Sequence, residues 1–371
     1  MSEMKLSNVP SMDMNRIVED LGHMYSTAIL GGQSLKDLPS VMLWGPPGVG
    51  KSQAIRQIGD RISRATGRRV SVTDVRLLLF NPIDLRGIPT ANEDKTLAIW
   101  LKPKIFHMEE GGDVVNILFL DEISAAPPSV QAAAYQITLD RTVGEHRLPD
   151  NCIVIAAGNR TTDKSVAYKM PKALANRLLH IQVEHSFPAW KLWALQAGIH
   201  PMVIGFLSFR RDHLMRFNAA SEELAFATPR SWEMVSKLLT TVGEDVDRLY
   251  NLIAGLVGVG MAMEFRSWCK VFKTLPRMED IFEGLCPPPP REPDGLYALC
   301  AAMTAYAREN RDDPEAIGHS VAYADKLPPD YATMLMKDYM YLEENYRLKL
   351  MRIPAFARWI SNKGWLLNGT V

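Results

Sequence analysis

The chain has 371 residues, of which 47% are hydrophobic and 23% charged, so its composition is that of a soluble globular protein and argues against wholesale disorder. Lysine plus arginine and aspartate plus glutamate both number 42, and this zero formal net charge gives no support for nucleic-acid binding. The four cysteines lack metal-binding spacing, the histidines are scattered, and no run of about 18 apolar residues could span a membrane. We therefore expect a cytoplasmic protein with reduced thiols.

The first half of the chain alternates short apolar runs with helical stretches. Helical patterns cover residues 51–67 and 128–140, and Gly67 ends the first of them. The strand candidates are residues 40–44, 68–76, 114–122, 151–159 and 178–185. Helical segments between strands imply crossover connections, so we predict a three-layer α/β domain with a parallel sheet over residues 1–185.

Two segments interrupt this alternation. Residues 87–103 carry a polar turn between flanks typical of strands, and this pattern predicts a hairpin inserted in a crossover. Residues 141–149, directly after the helix 128–140, predict a second and shorter hairpin.

The second half of the chain is predominantly helical. We predict an all-α lid domain over residues 186–285. The sequence CPPPPREPDG at 286–295 favours extended backbone, and we predict a Pro-rich linker followed by a helical C-terminal extension over residues 286–371.

Residues 44–53 read WGPPGVGKSQ and fit the phosphate-loop pattern G-x-x-x-x-G-K-[ST] between a strand and a helix. In such a loop the glycines let backbone N–H groups face phosphate oxygens, and the following helix presents its positive N-terminal end to the same anion. Lys51 would reach the β- and γ-phosphates of ATP, and Ser52 would bind Mg²⁺. The predicted ATP-binding residues are Gly45, Pro46, Pro47, Gly48, Val49, Gly50, Lys51, Ser52 and Gln53.

Acidic and amide side chains end the strand candidates 114–122 and 151–159. Asp121 is expected to bind Mg²⁺ at the carboxyl edge of its strand, and Glu122 to orient and deprotonate the attacking water. The alternative is that this pair only begins the next helix with favourable charges. Asn159 could hydrogen-bond the water or the γ-phosphate, although an isolated asparagine there is more often a turn residue.

Five motifs follow one another along the chain: the phosphate loop, LDEIS with a following APP, AAGNR, ALANRL and ATPRSW. This order resembles that of the AAA+ ATPases, and within them the MoxR group. The resemblance covers about residues 15–275. It implies a helix-2 insert at 87–103 and a pre-sensor hairpin at 141–149. It also implies a ring, commonly a hexamer, that acts on a protein substrate or a von Willebrand factor A-domain partner in a different chain.

The resemblance assigns roles to arginines as well. Arg177 would be an arginine finger that reaches the γ-phosphate bound by a neighbouring subunit, whereas its alternative is a surface salt bridge. Arg230 would be the lid arginine that closes over the nucleotide of its own subunit, unless it is an ordinary solvated residue. Arg141 and Arg160 are weaker candidates for the subunit interface.

These features predict an ATPase that uses ATP and Mg²⁺ at the subunit interfaces of a ring to remodel, mature or activate another protein. A nucleic-acid-directed AAA+ motor or loader is the alternative; the neutral charge and the lack of an appended DNA-binding motif count against it. A small-molecule P-loop kinase is a third possibility, but it would not need a finger acting between subunits. The sequence names no partner.

Overall fold

A computed structural model describes residues 9–160, 170, 172–218, 223–343 and 345–367, and the fold is given for these residues. The chain divides into two compact units, the first running to Ser186 and the second from Phe187 onward, with Asn218 grouped with the first.

The first unit combines strands with a few helices. Its described strands are β1 (Ser11–Asp13), β2 (Val41–Trp44), β3 (Arg69–Arg76), β4 (Ile88–Ala91), β5 (Ala98–Leu101), β6 (Val114–Asp121), β7 (Thr142–Val143), β8 (His146–Arg147), β9 (Cys152–Gly158) and β10 (Leu179–Glu184). Its described helices are α1 (Met14–Leu30), α2 (Lys51–Thr66), α3 (Pro82–Arg86), α4 (Pro128–Asp140) and α5 (Lys172–Ala175).

Six strands form one sheet in the order β1-β10-β2-β9-β6-β3, and all neighbouring pairs are parallel. Successive side chains of a strand point to opposite faces. On β2, Val41 and Leu43 pack with α1 and α2, whereas Met42 and Trp44 pack with the cluster that contains α4. Helices therefore cover both faces, which confirms the predicted three-layer α/β core.

The five predicted strands are present in this sheet, each within one residue of its predicted bounds. The sixth strand, β1, was not predicted, because three residues are too few to show an alternating pattern. It is a strand only through its pairing with Gln182–Glu184 of β10. Helix α1 was also missed, although Asp13 caps its N-terminus by accepting a hydrogen bond from the backbone N–H of Arg16 at 3.0 Å.

Both predicted hairpins are present as antiparallel strand pairs, β4 with β5 and β7 with β8. The side chain of His146, in the second hairpin, donates from Nε2 to the carbonyl oxygen of Trp100, in the first, at 2.7 Å. The two interruptions of the α/β pattern therefore contact one another.

The second unit is helical throughout its described residues, as predicted. Its helices are α6 (Phe187–Ala197), α7 (Pro201–Phe209), α8 (Pro229–Val242), α9 (Val246–Val257), α10 (Val259–Phe272), α11 (Met278–Phe282), α12 (Pro293–Glu309), α13 (Pro314–Ala324), α14 (Pro329–Met340), α15 (Tyr346–Leu350) and α16 (Pro354–Lys363). Within the described ranges, no helix has both the length and the apolar composition needed to cross a membrane.

Helix α12 joins the two apolar cores of this unit. Ala298 belongs to the core formed by α6–α10, and its neighbour Leu299 belongs to the core formed by α11–α16. A nearly buried ion pair between Lys191 on α6 and Asp338 on α14, at 2.7 Å, also connects the two groups of helices. The boundary expected near residue 286 stays a prediction.

Helix α7 comes close to a buried aromatic ring of the same unit at Gly205. A β-carbon at Gly205 would lie 2.7 Å from the buried ring of Trp268. We expect Gly205→Ala to lower the free energy of unfolding by about 1–3 kcal/mol, because the ring has to shift in a packed core. Urea unfolding, followed by tryptophan fluorescence, measures the effect.

The matched control is the same change at Gly255, which is exposed on α9 with no atom within 4 Å of an added β-carbon. Gly255→Ala should leave stability unchanged or raise it by up to about 1 kcal/mol, because alanine favours helix. If both changes alter the free energy of unfolding equally, the contact with Trp268 does not contribute to the effect of Gly205→Ala.

Candidate active site

The loop between β2 and α2 has the backbone that the glycine pattern predicts. Gly48 and Gly50 have φ angles of 78° and 104°, in the left-handed region where only glycine is unstrained. Lys51 begins α2, and Ser52 and Gln53 follow in the first turn. The loop therefore leads directly into the positive N-terminal end of a 16-residue helix.

The ammonium of Lys51 is folded back over this loop. Its Nζ donates to the carbonyl oxygens of Gly45 at 2.7 Å and Pro46 at 3.0 Å, and lies 3.4 Å from Oδ1 of Asn159. Lys51 is only 9% exposed. A buried positive charge is thus held at the loop that leads into the N-terminus of α2, which is an arrangement suited to phosphate oxygens.

The two predicted Mg²⁺ ligands lie next to each other. Ser52 Oγ donates to Oδ2 of Asp121 at 3.2 Å. Adjacent corners of a Mg²⁺ octahedron with bonds of about 2.0–2.1 Å are about 2.9 Å apart, so both oxygens fit one ion. Among the described residues no group of three or more histidine, cysteine or acidic side chains could hold a metal. Mg²⁺ bound through one or two protein ligands usually keeps waters and phosphate oxygens as the others.

Glu122 has a strained backbone. Its φ angle is 58°, a left-handed conformation that non-glycine residues rarely adopt. Its N–H donates to Oδ1 of Asp121 at 2.9 Å, and the next residue, Ile123, donates to the carbonyl of Ala157 at 2.9 Å. These bonds hold the turn, and strain of this kind is concentrated at functional sites.

Asn159 is tied to the same turn by a serine that sequence reasoning missed. Ser124 Oγ accepts from the backbone N–H of Asn159 at 2.9 Å and donates to its carbonyl at 3.1 Å. Ser124 itself is 3% exposed. The only signal in the sequence is a hydroxyl two residues after the acidic pair.

Asp74 is a second acidic residue that sequence reasoning did not select. It lies on β3 beside β6, where Arg76 is opposite Asp121 in the strand register. Partial desolvation, and then the negative charge of Asp121, raise the pKa of Asp74, while Arg76 and Arg56 oppose the rise.

The predicted arginines have different positions. Arg177 is exposed in the turn between α5 and β10, and makes no ion pair with any described residue. Arg230 is exposed in the first turn of α8, in the second unit, where Thr228 caps the helix. Its role stays a prediction, as does that of the half-buried Arg160.

Arg141 was a weaker candidate for the subunit interface, and its guanidinium points into its own unit. It donates to the carbonyl oxygens of Cys152 and Leu38, both at 2.9 Å, and burial lowers its pKa. It therefore connects α4, β9 and the segment before β2 from inside.

Residues 40–180, which lie within the first unit, match a family model described as "ATPase family associated with various cellular activities (AAA)". The first unit has the fold of an AAA ATPase. The model describes a family of ATPases, and it matches 141 of the 371 residues. No curated protein matches the chain.

Solved structures that the chain matches include a RuvB mutant of Thermotoga maritima, at 17% identity over 80% of this chain and 86% of that chain, with a TM-score of 0.35. A putative ATPase of Cytophaga hutchinsonii has 14% identity over 93% of both chains and a TM-score of 0.32. NtrX of Brucella abortus in complex with ADP has 16% identity over 98% of this chain and 70% of that chain, with a TM-score of 0.38.

We predict that Ser124→Ala lowers kcat for ATP hydrolysis by up to about 30-fold, because two hydrogen bonds of about 1 kcal/mol each no longer hold Asn159. The affinity for a fluorescent ATP analogue should stay unchanged, since the phosphate loop is untouched. Ser267→Ala is the control, because that exposed hydroxyl bonds only to its own helix, at the carbonyl of Met263. An unchanged kcat in Ser124→Ala would contradict a positioning role.

Proposed function

We propose that the chain is an ATPase that hydrolyses ATP at the subunit interfaces of a homo-oligomeric ring, a hexamer by resemblance, to remodel or activate a partner protein. The observation that carries the proposal is the convergence of Lys51, Ser52, Asp121 and Asn159 at one sheet edge. Glu122 directly follows Asp121 at the same edge.

In this proposal the chain's residues divide the reaction among them. Residues 45–53 bind the ATP phosphates, and Lys51 exchanges its loop carbonyls for phosphate oxygens. Ser52 and Asp121 hold Mg²⁺, which neutralises charge on the phosphates. Glu122 accepts a proton from the attacking water, and Asn159 orients that water or the γ-phosphate.

The ring is supported by the exposure of Arg177. An arginine that stabilises the γ-phosphate from another subunit has to be free of partners in its own chain, and Arg177 makes no ion pair with a described residue. Arg230 closes the lid of its own subunit in this proposal. The MoxR-like role, with a protein substrate or a von Willebrand factor A-domain partner, rests on the motif order and on the two hairpins.

A second candidate is a nucleic-acid-directed motor. Residues 345–367 contain five lysines and arginines and no acidic residue. Arg347, Arg352, Arg358 and Trp365 are exposed in this segment, and arginines with an exposed aromatic ring suit a nucleic-acid strand. Stimulation of ATP hydrolysis by single- or double-stranded DNA would favour this candidate, whereas no stimulation favours the first.

Glu122→Gln should lower kcat by at least about 100-fold while ATP still binds, because the amide cannot accept the proton. Coupled-enzyme ATPase assays and equilibrium binding of an ATP analogue measure the two effects. Glu110→Gln, at an exposed glutamate outside the site, is the control. If Glu122→Gln still hydrolyses ATP, the assignment of Glu122 as the general base is wrong.

A mixing experiment tests the shared site. Arg177→Ala and Glu122→Gln should each be inactive alone, with Arg177→Ala down about 1,000-fold if the finger acts as in other phosphoryl-transfer enzymes. Mixed rings regain activity, because Arg177 of the Glu122→Gln subunit completes the intact site of its neighbour. Size-exclusion chromatography with ATP should show rings, and a lack of regained activity would refute the trans role of Arg177.

A further inference from the structure

A chain of hydrogen bonds connects the strand before the phosphate loop to the turn that carries Arg177. The indole Nε1 of Trp44 donates to Nδ1 of His180 at 2.9 Å, and Nε2 of His180 bonds the carbonyl oxygen of Ala175 at 2.7 Å. The rings of Trp44 and His180 also stack, with centroids 6.0 Å apart and planes inclined by 19°. Nothing in the assigned site uses either side chain.

The chemistry of the two partners determines the state of His180. An indole N–H can only donate, and a carbonyl oxygen can only accept. His180 therefore accepts at Nδ1 and carries its proton on Nε2. In the other neutral tautomer and in the imidazolium, Nδ1 carries a proton that would point at the indole N–H of Trp44. Only the neutral ring with its proton on Nε2 therefore completes the chain of hydrogen bonds.

The carbonyl that His180 contacts begins a tight turn. Ala175 also accepts from the backbone N–H of Leu178 at 3.3 Å, which makes Arg177 the third residue of a four-residue turn. Leu178 is 8% exposed and packs into the core of the first unit, so it fixes the far end of the turn. The bond from His180 fixes the near end, and Arg177 projects between two anchored positions.

The opposite end of the chain of bonds is equally well anchored. Trp44 is 4% exposed, and the residue after it, Gly45, donates its N–H to the carbonyl of Gly158 at 3.2 Å. Gly45 also provides the carbonyl nearest to the ammonium of Lys51. In the register of β2 and β10, His180 lies opposite Met42, two residues before Trp44.

We infer that Trp44 and His180 are positioning residues for Arg177. They hold the turn of the finger at a set distance from the phosphate loop of the same subunit, so that the guanidinium is presented to the neighbouring site in one orientation. The inference rests on the proposed function, because it concerns a finger that acts between subunits.

Two substitutions break the chain of bonds at different points. Trp44→Phe keeps an aromatic ring but removes the N–H, and His180→Phe removes both nitrogens while it keeps a ring. Trp44→Phe loses one hydrogen bond of about 1 kcal/mol, and we expect its kcat to fall about 5-fold. His180→Phe loses two such bonds, and we expect its kcat to fall about 10-fold or more. KM for ATP should change by less than about 2-fold, since the phosphate loop is intact.

A conservative variant separates positioning from packing. In His180→Gln the amide nitrogen replaces Nε2 as donor to Ala175, while the bond from Trp44 is lost, so kcat should recover from the His180→Phe value to within about 5-fold of the original, as in Trp44→Phe. His185→Phe is the matched control, because the same change falls on an exposed histidine five residues further along the chain. It should leave kcat and KM unchanged.

The mixed-ring assay identifies which site is damaged. Rings of His180→Phe and Glu122→Gln subunits should recover as much activity as rings of Arg177→Ala and Glu122→Gln, since the His180→Phe subunit keeps its own Glu122 and receives Arg177 from its neighbour. If the Arg177 rings recover and the His180 rings do not, the histidine acts on its own site and the inference is overturned. An unchanged kcat in both Trp44→Phe and His180→Phe would also overturn it.

Failure of the Arg177 rings themselves would refute the proposed trans finger, and the positioning inference would fall with it. Thermal unfolding of each variant shows whether the first unit is still folded. If His180→Phe does not fold, rings of Trp44→Phe and Glu122→Gln subunits are compared with rings of original and Glu122→Gln subunits. Recovery of ATPase activity in the Trp44→Phe rings supports the inference, and no recovery refutes it.

Discussion

The parallel direction of all six strands is the constraint on which the site depends. Strands that run the same way end at the same edge, and β2, β9 and β6 are direct neighbours. Their last residues therefore bring together the phosphate loop, Asn159 and Asp121, which are far apart in the sequence. Because side chains alternate between the faces of a strand, a shift of one residue in the register would turn Asp121 away from Ser52.

The carboxyl edge of the sheet is held in place by groups that take no part in the proposed reaction. Ser124 bonds both backbone groups of Asn159, and the carbonyl of Ala157 receives the N–H of Ile123. Between these contacts the left-handed backbone of Glu122 costs about 1–2 kcal/mol. The almost fully buried run of β6 stabilises the strand on which this turn is built.

Burial decides what the arginines of the first unit do. Arg141 directs its guanidinium to two backbone carbonyls inside the unit, whereas Arg177 stands exposed at a turn. Desolvation lowers the pKa of the first, whose guanidinium is occupied by those two carbonyls. The second remains available, and the bonds through Trp44 and His180 limit the orientations of its turn.

The local pattern of the sequence determined five strands, both hairpins, the helices α2 and α4, and the loop that begins at Gly45. Each of these depends on residues close together in the chain: apolar periodicity, turn glycines, and acidic residues at the end of an apolar run. The acidic pair Asp121 and Glu122 was visible for the same reason. The position of Asp121 beside Ser52 followed from the expected parallel sheet, and the structure has the two oxygens 3.2 Å apart.

The tertiary structure alone decided the features that depend on pairing between distant residues. Strand β1 exists through its contact with β10, and Ser124 matters because the end of β9 lies against it. The inward direction of Arg141 depends on carbonyls 103 and 11 residues away, and the bond from Trp44 to His180 spans 136 residues. A single sequence does not show which distant residues meet. The same side chain can face another residue, the solvent or the apolar core, according to the order of the strands in the sheet.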